Sequence, residues 1–173
     1  MDFELTDEQK DIQKAAREFA QGEFDADLAL ELDQNGTFPE VTWKRTARLG
    51  FIGIHYPEEF GGQGLGLLEN VPVIEAFSRV DSGIGSALSV VDLGAELILK
   101  NGSQEQMGHY LPPLVKAEER STAAFGETED DRDLSQLSTR AEKREKVYLI
   151  RGLKKFMLNA TLADFFIQGC GRI

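Results

Sequence analysis

From Arg120 onward the sequence stops reading as helix. Before that point apolar residues recur at three- and four-residue intervals between recognisable helix caps. After it come "STAAF", "KVYLIRG", "KFML" and "DFFIQG", short stretches rich in β-branched or aromatic residues with partial alternation. One chain cannot satisfy both periods in one element, so the change divides it. The expected fold is mainly α: an N-terminal helical, bundle-like domain over residues 1–118, followed by an incomplete β-rich, barrel-like segment over 119–173. Incompleteness is expected because the sequence stops at Ile173 just after a strand-like stretch, which would leave a sheet edge unpaired. A length of 173 residues suits one domain plus part of another.

The helical half is punctuated clearly. Thr6–Gln9, "TDEQ", is a capping box, and behind it Ile12, Ala15, Ala16 and Phe19 form one apolar stripe. A second helix is expected to start at Pro39, suited to a first helical position, to run to Leu49 and to stop at Gly50. Residues 50–66, "GFIGIHYPEEFGGQGLG", are glycine-rich and carry no helical period. A third helix is expected over Val71–Val80, its start marked by Pro72. A fourth is expected from Asp81 or Ser82 to Gly102, with Gly83, Gly85, Ser86 and Gly94 leaving one side small. A second capping box, Ser103–Gln106, opens a short helix that Pro112 and Pro113 are expected to close.

Composition excludes several functions. A hydrophobic fraction of 41% with 28% charged residues is that of a soluble globular protein. No apolar run of membrane-spanning length exists, and the acidic start "MDFELTDEQK" is the opposite of a secretory leader, so the cytoplasm, or a matrix after import processing, is the expected location. The net charge of −11 argues against nucleic acid and anionic membranes as partners, because affinity for phosphate backbones comes from Lys and Arg displacing counterions. Cys170 is the only cysteine, so neither an intrachain disulfide nor a Cys-rich zinc site can form. His55 and His109 are far apart and read as surface or partly buried polar residues. No metal site is expected.

The order of features is specific. "YPEEFGGQGLG", then "SRVDSGIGSALSV" and "LG", then "NGSQEQMGHYLPPLVKAE" resembles the N-terminal helical domain of the flavin-dependent acyl-CoA dehydrogenases, as does the opening "MDFELTDEQKDIQKAAREFA". The resemblance is closest up to about residue 119. It implies an α-helical domain, a middle β-barrel-like domain and a C-terminal four-helix domain, with FAD between the last two. It also implies an acyl-CoA thioester as substrate. A glutamate of the C-terminal domain would remove the α-proton while flavin N5 accepts hydride from the β-carbon. Residues 1–173 end before any such segment, so no catalytic residue is expected here and the chain is not expected to dehydrogenate alone. Ser86, Ser89 and Leu93 match positions that line the family's acyl pocket, and on a single helix they would share one wall. The alternative is that the two serines only permit close helix packing.

The stretch "AFGETEDDRD", residues 124–133, falls where the family reads approximately Phe-Ala-Leu-Thr-Glu-Pro-x-Ala-Gly-Ser-Asp, the flavin bed. Matching Phe125, Thr128 and Glu129 to that motif leaves the Gly-Ser pair missing before Asp133. On this reading Thr128 bonds the ring, while three acids stand near the phosphates. A carboxylate about 6 Å from a phosphate costs about 3 kcal/mol at an effective dielectric near 20. The family's "Asn-Gly-x-Lys-x-Trp-Ile-Thr-Asn" corresponds to "RGLKKFMLN": Gly152, Lys154, Phe156 (for Trp) and Asn159 fit. Leu158 replaces a Thr whose hydroxyl donates to flavin N5, and leucine has no donor. The resemblance therefore implies a cofactor site of Phe125, Thr128, Phe156, Leu158 and Asn159, altered against FAD. Two functions follow: the N-terminal portion of a FAD-dependent acyl-CoA dehydrogenase, or a non-catalytic subunit paired with an active dehydrogenase-like chain. Either would form a homo- or hetero-oligomer with such a chain.

Overall fold

The computed structural model describes residues 4–127 and 136–172. Helix α1, Asp7–Glu23, starts at the anticipated box: the Gln9 amide donates to Thr6 Oγ1 (3.2 Å) and the Thr6 amide to Gln9 Oε1 (3.0 Å). Gln9 also donates from Nε2 to Glu69 Oε1 (2.8 Å), and Glu69 Oε2 accepts from the Gly66 amide (2.8 Å). One glutamine thus ties the start of α1 to the start of α4, Leu67–Val80. Glu69 opens α4 four residues before the expected position, and Pro72 lies inside the helix.

Helix α2, Ala26–Asn35, was not foreseen, although its caps are in the sequence. Asp25 accepts from the amides of Asp27 and Leu28, and Gly36 closes the helix at φ +59. Helix α3 is Glu40–Arg48, so Pro39 is its N-cap rather than its first residue; Gly50 stands beyond it at φ +78. The expected fourth helix is two: α5, Ser82–Ser89, capped by Asp81, and α6, Ala95–Asn101, entered through Gly94 at φ +91. Tertiary bonding breaks it, since the Ser121 amide donates to Val91 O (2.9 Å) and Asp92 bridges to Ser121. Helix α7, Gln104–Val115, runs through Pro112 and Pro113 instead of closing at them. Their carbonyls still accept, from the amides of Lys116 and of Glu118 and Glu119, so only donors are lost in a last turn.

The main core lies where α1 crosses α4. Ala16 and Ala20 meet Val73, Ala76 and Phe77, and Phe19, Phe24, Phe51 and Phe77 pack with ring centroids 5.4 to 6.0 Å apart. Burying each such ring contributes about 1.5–3 kcal/mol. A second cluster joins Tyr56, Phe60, Ala95, Leu111, Leu114 and Val115. The glycine-rich segment packs between the two. At Gly62 a Cβ would stand 2.1 Å from Tyr56 O, so only glycine lets the chain fold over Tyr56.

The second segment holds two small sheets and, among the described residues, no closed barrel. β1, Ser121–Ala124, pairs in parallel with β4, Phe165–Gln168, with Ser121 opposite Phe165 and Ala124 opposite Gln168. β2, Arg140–Arg144, forms an antiparallel hairpin with β3, Val147–Arg151, and meets β5, Gly171–Arg172, in parallel. β2 was not foreseen. "KFML" is not a strand but a turn, with Phe156 and Asn159 both at φ +54.

Candidate functional site

An open cleft with a volume of about 640 Å³ lies where the helical and β parts meet. Leu93, Gly94 and Leu97 from the α5–α6 junction line one side; Ala123, Phe125 and Gly126 from β1 and its exit line the floor; Phe156 and Leu158 line the other side. The Phe156 ring is 82% exposed and Leu158 59% exposed. Large apolar side chains are rarely left so open unless the surface serves something else. Phe156 also holds a left-handed backbone, which is about 1–2 kcal/mol less favourable for a residue with a Cβ.

The turn carrying these side chains is fastened from behind. The Lys155 amide donates to Gly126 O (2.8 Å), Thr122 Oγ1 to Leu158 O (2.6 Å), and Asn159 Nδ2 to Val90 O (3.2 Å). Asn159 is therefore a support reaching back to the helical part, and the cleft is not lined by it. Gly126 is the one residue that fits its place, because a Cβ there would stand 2.8 Å from Lys155 O.

Beneath the cleft is a buried ion pair. Lys154 Nζ lies 2.8 Å from Glu127 Oε1 and also donates to Phe125 O (3.1 Å). Glu127 Oε2 accepts from the amide and hydroxyl of Ser138, both at 2.5 Å, and Oε1 from the Thr139 amide (2.8 Å). Hydrogen bonds from Lys154, then Ser138 and Thr139, hold the Glu127 carboxyl well below the usual carboxylate range. In the sequence Glu127 stood among five acids of a surface strip; in the fold it is 5% exposed. The signal for its role was present, since Lys154 fitted the family motif on the opposite side of the turn. Thr128 lies outside the described residues, as do Glu129, Asp130, Asp131, Arg132 and Asp133.

The three acyl-side residues do not share one helical face. α5 ends at Ser89, so Leu93 lies beyond it and turns to the cleft. Ser86 is exposed, and its carbonyl accepts from Ser89 Oγ (2.9 Å). Ser89 borders a separate gap of about 30 Å³ next to Phe51, Val73, Phe77 and Leu88, room for about one water.

Behind α6 lies a polar knot. Tyr56 Oη donates to Asp92 Oδ2 (2.6 Å), and His55 Nε2 meets Glu96 Oε1 at 2.5 Å. Burial pushes the Asp92 carboxyl above its ordinary value; the Tyr56 bond and His55 oppose the shift. The same burial, with Asp92 beside it, pushes the Tyr56 phenol far up. The knot anchors the glycine-rich segment to the junction that carries Leu93. Among the described residues no group of three His, Cys, Asp or Glu could hold a metal ion, and no helix is long and apolar enough to cross a membrane.

Comparison with known proteins gives this geometry a setting. Residues 6–118 match the family model "Acyl-CoA dehydrogenase, N-terminal domain". Mitochondrial isovaleryl-CoA dehydrogenase of Bos taurus is 34% identical over 166 residues, covering 94% of this chain and 39% of that protein. The chain therefore spans about two-fifths of that relative's length. Among solved structures, a glutaryl-coenzyme A dehydrogenase in complex with glutaryl-CoA superposes with a TM-score of 0.87 at 31% identity, over 97% of this chain and 43% of that one. An acyl-CoA dehydrogenase of Bacillus anthracis complexed with FAD gives 0.83 at 27% identity, over 98% of this chain and 29% of that one.

Proposed function

The chain belongs to the acyl-CoA dehydrogenase family, and on that basis we propose that residues 1–173 supply two parts of a cytoplasmic, FAD-dependent acyl-CoA dehydrogenase. Residues 1–118 are its helical domain and 119–173 the beginning of its middle β-domain. The glutamate base comes from a C-terminal domain beyond these residues, in the same chain or in a dehydrogenase-like partner. The single observation that carries this reading is the cleft between Leu93 and Phe156, apolar, open and backed by a turn that three hydrogen bonds fasten.

The residues present fit one face of a flavin in part. Phe156 offers an exposed ring for stacking, Ala123 and Phe125 offer an apolar floor, and Leu158 offers an apolar side. When bound, FAD supplies hydride acceptance. This chain's contribution is to hold the ring flat, to exclude water and to direct the acyl chain past Leu93. No side-chain donor stands at Leu158.

The burial of Glu127 favours a simpler register of the bed than the gapped one. In the motif Thr-Glu-Pro-x-Ala-Gly-Ser-Asp the Asp follows the Glu by six positions, the spacing of Glu127 and Asp133, so no residues need be missing. Glu127 then takes the place of the motif's Glu, Gly126 that of the ring-binding Thr, and Thr128 that of the Pro. Under this register the side-chain hydroxyls facing the ring are absent at both 126 and 158, which favours a second reading: a subunit with a weakened flavin site, paired with an active dehydrogenase chain.

Native mass spectrometry of the protein purified from its own host separates the two. A mass carrying FAD supports the dehydrogenase, and a flavin-free chain bound to a flavin-bearing partner supports the subunit. Leu158→Thr is expected to tighten FAD binding about tenfold, as one restored hydrogen bond should; unchanged binding contradicts the assignment of position 158.

A further inference from the structure

A second concavity, about 400 Å³, lies away from the cleft, between α3 and the turn joining α7 to β1. Its lining is unlike the rest of this acidic chain. Lys44 and Arg48 come from α3, Lys116 and Arg120 from the turn, and only Glu40 and Glu118 oppose them. Lys44, Arg48 and Lys116 are exposed, and among the described residues none makes an ion pair. Three unpaired cations at one mouth repel each other, an arrangement that a net charge of −11 gives no reason to expect.

The floor repeats the message. The Arg120 guanidinium lies over Trp43 (4.4 Å to the ring centroid) and Phe38 (4.8 Å). Its Nη2 meets Glu40 Oε1 at 2.7 Å, while Nε and Nη1 are buried without a hydrogen-bond partner. Trp43 Nε1, in a residue 2% exposed, is likewise without one. Buried donors without partners are uncommon, and those of a charged group most of all. Here they belong to the two side chains that floor a cation-rimmed pocket.

We propose that this pocket binds a small phosphate-bearing ligand. Its volume lies within the range of small-molecule sites. Lysine and arginine rims on two separate elements suit the several oxygens of a phosphate better than a single carboxylate. Trp43, 2% exposed beneath the Arg120 guanidinium, senses the pocket through that arginine. Arg120 also fastens the helical part to the β segment: its amide donates to Asp164 Oδ2 (2.8 Å), and its carbonyl accepts from the Asp164 amide (2.8 Å). A ligand held there would stiffen the junction leading into β1, whose far end floors the cleft.

Trp43 is the only tryptophan in the chain, so its emission reports this pocket alone. The full chain is titrated with inorganic pyrophosphate, sodium chloride holding ionic strength constant. A saturable change in Trp43 emission is expected, and the double variant Lys44→Gln/Lys116→Gln should need about tenfold more pyrophosphate. Both positions are exposed, so the variant should fold, which circular dichroism checks. A linear response, an equal response in the variant, or an equal response to sulfate would overturn the proposal. So would a response to polyglutamate without one to pyrophosphate, which would make the pocket a dock for an acidic protein segment.

Discussion

Residues 4–118 and 119–172 obey different rules of stability. The helical part closes on itself: Ala16, Ala20, Trp43, Val73, Phe77, Ala95 and Leu111 are all almost fully buried. In the β part Ala124 and Leu137 are the buried apolar residues among those described, whereas Val147, Tyr148, Leu153, Phe156 and Leu158 are each more than half exposed. What holds the β part is polar: Glu127 with Lys154, Thr122 with Leu158, and Arg120 with Asp164. A core excludes water and needs no partner. A polar frame presenting apolar side chains outward is built to be covered, and the cleft lies on that side of the boundary.

The largest effect should come from emptying the helical core. Leu111→Ala is expected to lower unfolding free energy by about 3 kcal/mol in urea titration, while Leu153→Ala, 64% exposed, should change it by less than about 0.5 kcal/mol. Equal losses would erase the contrast. Next, Tyr56→Phe should cost about 2 kcal/mol, since it removes the donor to a buried carboxylate at Asp92.

Acid should separate the two parts by sign. Glu127 titrates below its ordinary 4.5, so its contribution is full above that pH and is lost as pH falls toward the folded value. Asp92 titrates above its ordinary 3.8, so it opposes folding at neutral pH and that penalty fades as pH drops through the folded value. Asp92→Asn should therefore abolish a gain on mild acidification, read as thermal midpoint against pH. The protection factors of the Ser138 and Thr139 amides, taken against their intrinsic exchange rates, should instead fall at lower pH. If both carboxylates moved stability in the same direction, the contrast would fail. A small gain is expected at the β2–β3 hairpin, where Glu145 sits at φ +49: Glu145→Gly should stabilise by about 0.7 kcal/mol, read by thermal unfolding.

Helix starts were legible at Thr6, Asp81 and Ser103, where a side chain caps its own helix ahead of an apolar pattern. The cap at Asp25 was equally local, and α2 was missed because its apolar stripe is weak and none of its residues is buried. The break between α5 and α6 was only half legible: Val90, Val91, Asp92 and Gly94 are poor helix formers, but the bonds to Ser121 and Tyr56 that hold the unwound turn come from residues distant in sequence. Phe125, Phe156 and Leu158 are legible as one cofactor group through the family motifs, whereas Leu93 is read with the acyl-pocket residues and joins them only in the fold, across the cleft. Glu127 was hidden for the opposite reason: among neighbouring acids it looked solvated, and only Lys154, Ser138 and Thr139 make it buried.

The proposed place for FAD is the cleft between Leu93 and Phe156. Amide hydrogen exchange of the protein with and without saturating FAD tests it most directly. Added protection is expected at residues 125–127 and 155–159, with the amides of α1 and α4 unchanged. Protection confined to the helical part, or none at either end of the cleft, would contradict it.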